Sequence, residues 1–415
     1  MLLINIIIIL YEWSKASLAT LFWAVVFLLF SVPHIIHAYG DDYSERTIFQ
    51  VTLFAVIFMC CYLAVRFLYF SSGRRGEGSI DSNLLIHEDR RFVDFIFAVY
   101  FVCFLIIAFC FYRGGGSIMT AMAYVSYGTG MIEKIASITL VALSGIGCIS
   151  FLRKEYLRFL ICVAIYGFYF LTNQIRYNLI GFFAPFMIFF LFNTSRRKRT
   201  VGITLGVLFV VFVYFAQQLR WAGGMSNALN SGFGVLMENT INYMKSGNGE
   251  FGLIKAFYYF VEHDNAFDGF GRGLGFIRLA LIILPASLVP FKPRDFAIDM
   301  YREWFRIDNP AGTMHPTIFG DAYANFGFWG CLTGAFYGLI MIFADEHMNS
   351  CSRESVKVLK ISLISTMMII LARGAVYNSI FNCILGLALV FVLERVFLLR
   401  NPYENDACKR CENRV

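Results

Sequence analysis

A histidine and an aspartate stand six residues apart at the start of an apolar run, in the segment 315–327 (HPTIFGDAYANFG). Histidine titrates near neutral pH, and burial can shift an aspartate toward it, so either His315 or Asp321 could take a proton from a sugar hydroxyl group. A helix that begins near Pro316 would put Asp321 and Asn325 on one face. The competing interpretation is that His315 caps the span and Asp321 binds backbone or an arginine. Glu303 is a third candidate base.

Four arginines are set apart by position: Arg176, Arg220 and Arg373 lie next to apolar runs, and Arg302 lies in a cluster of charged and aromatic residues. A guanidinium near a membrane is costly unless it is paired or lines a wet cavity, and its shape matches a phosphate group. Together they could bind a pyrophosphate without a metal ion. In the competing interpretation each arginine reaches lipid headgroups or pairs with a carboxylate.

Tyr323 and Asn325, beside Asp321, complete the candidate substrate-binding set, since an aromatic ring can stack on a sugar face. Such rings could equally belong to the aromatic belt at the membrane surface. The sequence holds no phosphate-binding glycine loop of the Walker type and no D-x-D pair outside the apolar runs. These absences disfavour an ATPase or a metal-dependent transferase that uses nucleotide sugars. We expect no cofactor and no metal, and a donor that already carries its energy as a lipid pyrophosphate.

The elements that must position these residues are membrane helices. The 415 residues are 58% hydrophobic and only 15% charged, where soluble proteins carry about a quarter charged residues. This composition predicts an all-α, polytopic integral membrane protein with ten or eleven spans. Residues 1–11 are either a short first helix or a surface segment. The remaining predicted spans are Ala16–Pro33, Thr47–Val65, Phe92–Tyr112, Ile135–Leu152, Phe159–Ile175, Tyr177–Ser195, Thr200–Leu219, Ala322–Ala344, Ile361–Ala372 and Gly374–Leu393.

The organisation follows from where the charges fall. Residues 1–217 form N-terminal spans, 218–315 one large loop, 316–398 C-terminal spans and 399–415 a tail. An apolar stretch at 276–289, too short to span, predicts a re-entrant or interfacial helix in the loop. Lys and Arg concentrate in alternate short loops and in the tail, so those are cytoplasmic and the large loop faces the periplasm of a bacterial inner membrane. This bias accounts for the net charge of +7, and we expect no nucleic-acid partner.

With these features the chain resembles the Wzy-type O-antigen (oligosaccharide repeat-unit) polymerases. The topology is similar, with one dominant external loop late in the chain. Segment 315–327 is similar to that family's loop-exit motif, and the Arg373-Gly374 step is similar to its last-span motif. The family often has Glu where this chain has Asp321.

The resemblance implies a metal-independent, inverting membrane glycosyltransferase. It would transfer a growing glycan from undecaprenyl pyrophosphate to the next undecaprenyl-pyrophosphate-linked oligosaccharide, building O-antigen or a capsule-like polysaccharide. His315 or Asp321 would be the base, and Arg176, Arg220, Arg302 and Arg373 would bind the pyrophosphates. The expected partners are the lipid bilayer, the lipid-linked oligosaccharide and a chain-length regulator. Two alternatives stay open: a flippase for the same lipid, and an O-antigen ligase.

Overall fold

The computed structural model describes residues 1–400 except 41–42, 74–78, 115–130, 174–177, 194, 222–229, 231, 246–251, 264–266, 268, 283, 285–286, 307–312 and 352. Inside the helices, the side chains of 173, 178, 209–210, 212–221, 233, 240, 243–245 and 399–400 also lie outside the description. Every regular element of the described residues is helical.

The helices of the first half are α1 Leu2–Ser14, α2 Ala19–Val26, α3 Val32–Tyr39, α4 Glu45–Ser71, α5 Ser82–His87, α6 Arg90–Arg113, α7 Met131–Ala142, α8 Ile146–Leu152, α9 Tyr156–Asn173, α10 Asn178–Leu191 and α11 Arg196–Trp221. A π-helical turn, Phe27–Ser31, joins α2 to α3. Helix α4 begins where Ser44 Oγ accepts the Thr47 N–H at 3.2 Å, a side-chain N-cap.

The helices of the second half are α12 Phe233–Lys245, α13 Leu253–Glu262, α14 Leu274–Ala280, α15 Phe296–Phe305, α16 Thr317–Phe326, α17 Gly334–Asn349, α18 Glu354–Ala372 and α19 Val376–Arg400. A 3-10 stretch, Gly327–Thr333, joins α16 to α17. Asp295 caps α15 by accepting the Ala297 N–H at 3.1 Å. The predicted helix start near Pro316 is confirmed, because α16 begins at Thr317.

Seven helical segments of the described residues are long and apolar enough to cross a membrane. They are Ala19–Tyr39, Glu45–Ser71, Arg90–Arg113, Met131–Leu152, Thr317–Asn349, Glu354–Ala372 and Val376–Leu398. Three shorter helices are also apolar: Leu2–Ser14, Tyr156–Thr172 and Leu179–Leu191. The chain is thus an all-α, multi-pass membrane protein, as its composition predicts.

Two predicted spans end too early. The predicted Thr47–Val65 is part of a helix that continues to Ser71, and the predicted Ala322–Ala344 lies in a segment that runs from Thr317 to Asn349. In both cases the predicted end falls just before a charged residue, Arg66 or Asp345. The structure instead continues the helix and buries the charge, because the two side chains pair with each other.

The helix predicted at 276–289 is wrong in length. Helix α14 ends at Ala280, and turns follow through Leu281 and Ile282. Pro285 and Pro290 lack backbone N–H groups and disfavour helical conformation in the residue before them, which accounts for the early end. Gly273, in a left-handed conformation with φ +67°, precedes the helix and lies in the glycine-rich turn 269–273.

The chain divides into two compact units built from interleaved segments. Unit 1 comprises Met1–Glu77, Asn242–Glu346 and Met367–Phe381, and unit 2 comprises Gly78–Ile241, His347–Thr366 and Asn382–Val415. The core of unit 1 is rich in aromatic rings, and Phe319 contacts both Phe30 and Phe58. In unit 2 the buried hydroxyl of Ser144 bonds that of Ser362 at 2.6 Å, so small polar residues join two helical segments.

Candidate active site

Helix α16 carries Asp321 into the interior of unit 1. The residues from Thr317 to Asn325 are all buried. Helix α16 lies close against α13, since a Cβ atom on Gly320 would come within 2.9 Å of the Phe257 Cβ. Packing of this kind places Asp321 where only 6% of its surface is exposed.

Asp321 lines a hollow in unit 1. The other lining residues lie on α14, at the starts of α15 and α19, and just before α16. The apolar part of the lining comes from α15 and the first turn of α19. The lining includes Arg278, Asp295, Met300, His315, Asp321 and Tyr377. The enclosed space is about 20 Å³, room for roughly one water molecule. A reacting group must therefore enter from the open side with some movement of the lining.

The carboxylate of Asp321 is incompletely satisfied. Its Oδ2 atom is buried and has no hydrogen-bond partner among the described residues. Most buried polar side-chain atoms in proteins are hydrogen-bonded, and an unsatisfied buried acceptor costs about 1–3 kcal/mol. Asp295, on the same hollow, differs because its Oδ1 is used to cap α15. An open oxygen on a buried carboxylate is an arrangement that suits a proton acceptor.

Two cations lie at the ring of Tyr377, a residue that lines the same hollow as Asp321. The guanidinium carbon of Arg278 lies 4.4 Å from the ring centre of Tyr377, and the Lys292 Nζ lies 5.9 Å from the same ring. Both cations donate to backbone carbonyl groups, Arg278 to Pro293 and Lys292 to Leu284. Within the described residues neither forms an ion pair with a carboxylate, so both charges are open to an anion. Arg278 and Lys292 were not predicted from the sequence, because each is a single charge beside an apolar stretch.

The two motifs that carry the family resemblance meet at this hollow. The Thr317 N–H donates to the Arg373 carbonyl oxygen at 2.9 Å, which joins the start of α16 to the turn between α18 and α19. Gly374 follows in that turn, and a Cβ atom there would lie 3.2 Å from the Asp321 Cβ. His315 lines the hollow too. Residues about 50 positions apart in sequence thus form one site.

Two of the predicted substrate-binding residues, Asn325 and Tyr323, make contacts inside the protein. Asn325 is fully buried, and its amide accepts the Gly275 N–H at 2.8 Å and donates to the Asp321 carbonyl at 2.9 Å. It therefore ties the glycine-rich turn to α16. Tyr323 packs in an aromatic group with Phe54, Phe257 and Phe270. The role of these two residues in binding a substrate stays a prediction.

Neither of the two predicted arginines whose side chains the structure describes is part of the hollow's lining. Arg373 adjoins it through its backbone carbonyl, while Arg302 lies on α15 outside the hollow's lining. Arg176 lies outside the described residues, and Arg220 lies on α11 with a side chain that is also outside them.

Glu303, the third candidate base, is engaged elsewhere. Its Oε1 accepts the Tyr259 hydroxyl at 2.8 Å, and it is not part of the hollow's lining. Burial, together with the hydrogen bond and charge of Glu303, raises the pKa of Tyr259, so the hydroxyl stays protonated as the donor. The structure thus leaves His315 and Asp321 as the candidate bases on the hollow.

The fold and the hollow together define an all-α, multi-pass membrane protein with a carboxylate, an imidazole and a guanidinium on one site. No protein-family model, no curated protein and no solved structure matches the chain. In the described part of the chain, no cluster of three or more His, Cys, Asp or Glu residues is placed to hold a metal ion. The arrangement can accept a proton from a hydroxyl group and stabilise a departing anion.

Proposed function

We propose that the chain is a membrane glycosyltransferase that polymerises oligosaccharide repeat units carried on undecaprenyl pyrophosphate. The observation that carries the proposal is the buried Oδ2 of Asp321, which has no hydrogen-bond partner among the described residues and faces a hollow that His315 and Arg278 also line. Support also comes from the contact between segment 315–327 and the Arg373-Gly374 step, the two segments that resemble the repeat-unit polymerases.

In the proposed step a hydroxyl of the acceptor sugar attacks the anomeric carbon of the donor glycan. A new carbon–oxygen bond forms, the bond from that carbon to the diphosphate oxygen breaks, and the configuration inverts. Asp321 takes the hydroxyl proton through its open oxygen, and undecaprenyl pyrophosphate leaves as the anion. The reacting groups gain most if they are held within contact of that oxygen before reaction.

The cations at Tyr377 suit the leaving group. Arg278 and Lys292 have no carboxylate partner among the described residues, so they can bind developing negative charge. The chain beside them exposes apolar side chains: Leu284 is 42% exposed, Leu288 72% and Phe291 77%. An anionic head next to an apolar surface matches a phosphate group carried on a long hydrocarbon. Arg176, Arg220, Arg302 and Arg373 remain predictions for further contacts to the pyrophosphates.

The membrane arrangement is part of the proposal. Seven long apolar segments, three shorter apolar helices and α11 give ten or eleven spans. The basic loops, such as 196–199, then face the cytoplasm, and the loop 218–315 faces the periplasm of the inner membrane. Under this orientation the hollow opens on the periplasmic side, where lipid-linked repeat units are polymerised.

The flippase alternative predicts charged residues at mid-depth of several spans. The structure does bury charged side chains on helices, among them Glu12, Arg66 and Asp345 on three different helices. These three lie near helix ends, however, and Arg66 is about 8 Å from the end of α4 by helical rise. They are also bound to one another. This placement favours a role in holding helices together, so the polymerase proposal stands first.

A lipopolysaccharide gel from a strain that lacks the chain tests the function. A polymerase deletion leaves a single repeat unit on the lipid core, while a ligase or flippase deletion leaves none. Complementation with Asp321→Asn should fail to restore the ladder, whereas the wild type should restore it. A matched control is Asp299→Asn on α15, whose carboxylate pairs with Arg294 at 2.8 Å and lies outside the hollow's lining. A ladder with Asp321→Asn, or no repeat unit in the deletion, would refute the proposal.

A further inference from the structure

Thr317 adopts a backbone conformation that a threonine rarely takes. Its φ is +68°, in the left-handed region where a β-branched side chain is strained. Its hydroxyl is buried, with only 1% of the residue exposed, and Oγ1 has no hydrogen-bond partner among the described residues. Strained backbone of this kind persists only where surrounding structure enforces it, and it clusters at functional sites.

The enforcing structure is the turn at Arg373 and Gly374. The Thr317 N–H donates to the Arg373 carbonyl oxygen at 2.9 Å. Gly374 has φ +94°, and a Cβ atom on it would lie only 2.5 Å from the Thr317 carbonyl oxygen. Only glycine fits between these groups. The start of α16 is therefore held by the turn through a hydrogen bond on one side and close packing on the other.

The same glycine touches the proposed base. A Cβ on Gly374 would lie 3.2 Å from the Asp321 Cβ, so Thr317 and Asp321 converge on one point of the turn. The Asp321 Oδ2 has no hydrogen bond to orient it. Its carboxylate must therefore be oriented largely by the backbone that carries it, and a catalytic group has to be held within about 0.5 Å of its productive position.

We propose that Thr317 and Gly374 form a backbone clamp that positions the Asp321 carboxylate in the hollow. Both are positioning residues and neither touches the substrate. The proposal rests on the proposed function for the reaction in which Asp321 acts. The clamp depends on the hydrogen bond and the close approach alone.

The test is Gly374→Ala in purified protein that converts lipid-linked repeat units to polymer. The added methyl group must push the Thr317 carbonyl away and shift α16. We expect kcat to fall by about 100-fold, the effect of a displacement of about 1 Å, with KM changed by less than about threefold. A purely structural role would instead lower the yield of folded protein and leave the kcat of the folded fraction unchanged.

The matched control is Gly73→Ala in the same unit. Gly73 also has positive φ, +80°, but a Cβ there would meet no atom within 4 Å. The control introduces similar left-handed strain without a clash at the clamp. We expect its kcat to equal that of the wild type.

A second variant relieves the clash from the other side. Thr317→Gly keeps the N–H donor and adopts positive φ without strain, so alone it should retain kcat within about threefold. Combined with Gly374→Ala, it lets the carbonyl move and should recover at least about tenfold of the lost kcat. If Gly374→Ala does not accumulate in the membrane, Thr317→Pro removes the N–H donor and the left-handed conformation together, and it should show the same loss of kcat.

The outcomes separate the clamp from the function. Wild-type kcat in Gly374→Ala, or an equal loss in Gly73→Ala, would overturn the clamp. If Asp321→Asn is inactive while Gly374→Ala and Thr317→Pro are fully active, only the clamp fails. If Asp321→Asn itself is fully active, the proposed role of Asp321 fails first.

Discussion

Unit 1 buries two aspartates on one membrane segment, Thr317–Asn349, in opposite circumstances. Asp345 accepts from Arg66 Nη2 at 2.6 Å and from the Ser17 hydroxyl at 3.0 Å. Asp321 has one oxygen with no partner among the described residues and faces a hollow. The first carboxylate is used to hold the fold, and the second is left open at a cost to the fold. Burial alone thus does not separate these two aspartates, whereas hydrogen-bond satisfaction does.

The paired cluster joins three helices. Arg66 on α4 donates to both oxygens of Glu12 on α1, at 2.8 and 2.7 Å, and to Asp345 on α17. Tyr62 adds a hydroxyl to Glu12 at 2.7 Å. These side chains are at most 1% exposed, so every contact is formed away from water. Such a network is weak evidence for net stability but makes each partner costly to remove.

The largest effect we predict is a loss of stability when the paired cluster of Glu12, Arg66 and Asp345 is broken. Arg66→Met should lower the free energy of unfolding by about 3–5 kcal/mol, because it leaves two buried carboxylates without their cation. Denaturation in mixed detergent micelles measures it. The matched control is Arg278→Met, which removes an arginine that has no carboxylate partner among the described residues and should change the unfolding free energy by less than about 1 kcal/mol. Equal losses of unfolding free energy in the two variants would contradict the distinction between the paired Arg66 and the open Arg278.

The second prediction concerns the two cations at the ring of Tyr377. Arg278→Met and Lys292→Met should each weaken use of the lipid-linked substrate by about tenfold in kcat/KM, since each removes one charge from the proposed diphosphate site. Kinetics on purified protein provide the measurement. The control is Lys15→Met, because Lys15 also lies over aromatic rings, those of Tyr11 and Phe70, but is not part of the hollow. Unchanged kinetics in the Arg278 and Lys292 variants would assign the phosphate to other residues, such as Arg302 or Arg373.

The smallest predicted effect is at Glu303. Glu303→Gln keeps an oxygen that can accept from Tyr259, and the residue lies outside the hollow's lining. We expect kcat to stay within about threefold of the wild type, an effect below about 1 kcal/mol. A loss of 100-fold or more would instead make Glu303 the base and Asp321 a bystander.

Seven of the predicted spans match described segments that are long and apolar enough to cross a membrane, because roughly 20 apolar residues in a row have few alternatives. The sequence also predicts the start of α16 near Pro316. The spans predicted from the sequence end before Arg66 and Asp345, because a charged residue indicates the end of an apolar run unless its partner is known. Those partners are 279 positions apart in sequence.

The composition of the site was predicted in part. His315 and Asp321 line one hollow with Arg278, which was not singled out from the sequence, and the substrate-binding role of Asn325 stays a prediction. Their roles depend on how the glycine-rich turn docks on α16, through the Gly275 N–H and the Asn325 amide. Contacts of this kind depend on loop folding, and the periodicity of the sequence does not encode them.

The most direct test of the account is Asp321→Asn, with turnover and the free energy of unfolding measured on the same purified preparation. An open catalytic carboxylate predicts that turnover falls by about 10²–10⁴-fold. It also predicts an unfolding free energy unchanged within about 1 kcal/mol or higher, because a neutral amide of the same shape is cheaper to bury than an unpaired carboxylate. Wild-type turnover, or a loss of stability as large as that of Arg66→Met, would contradict the account.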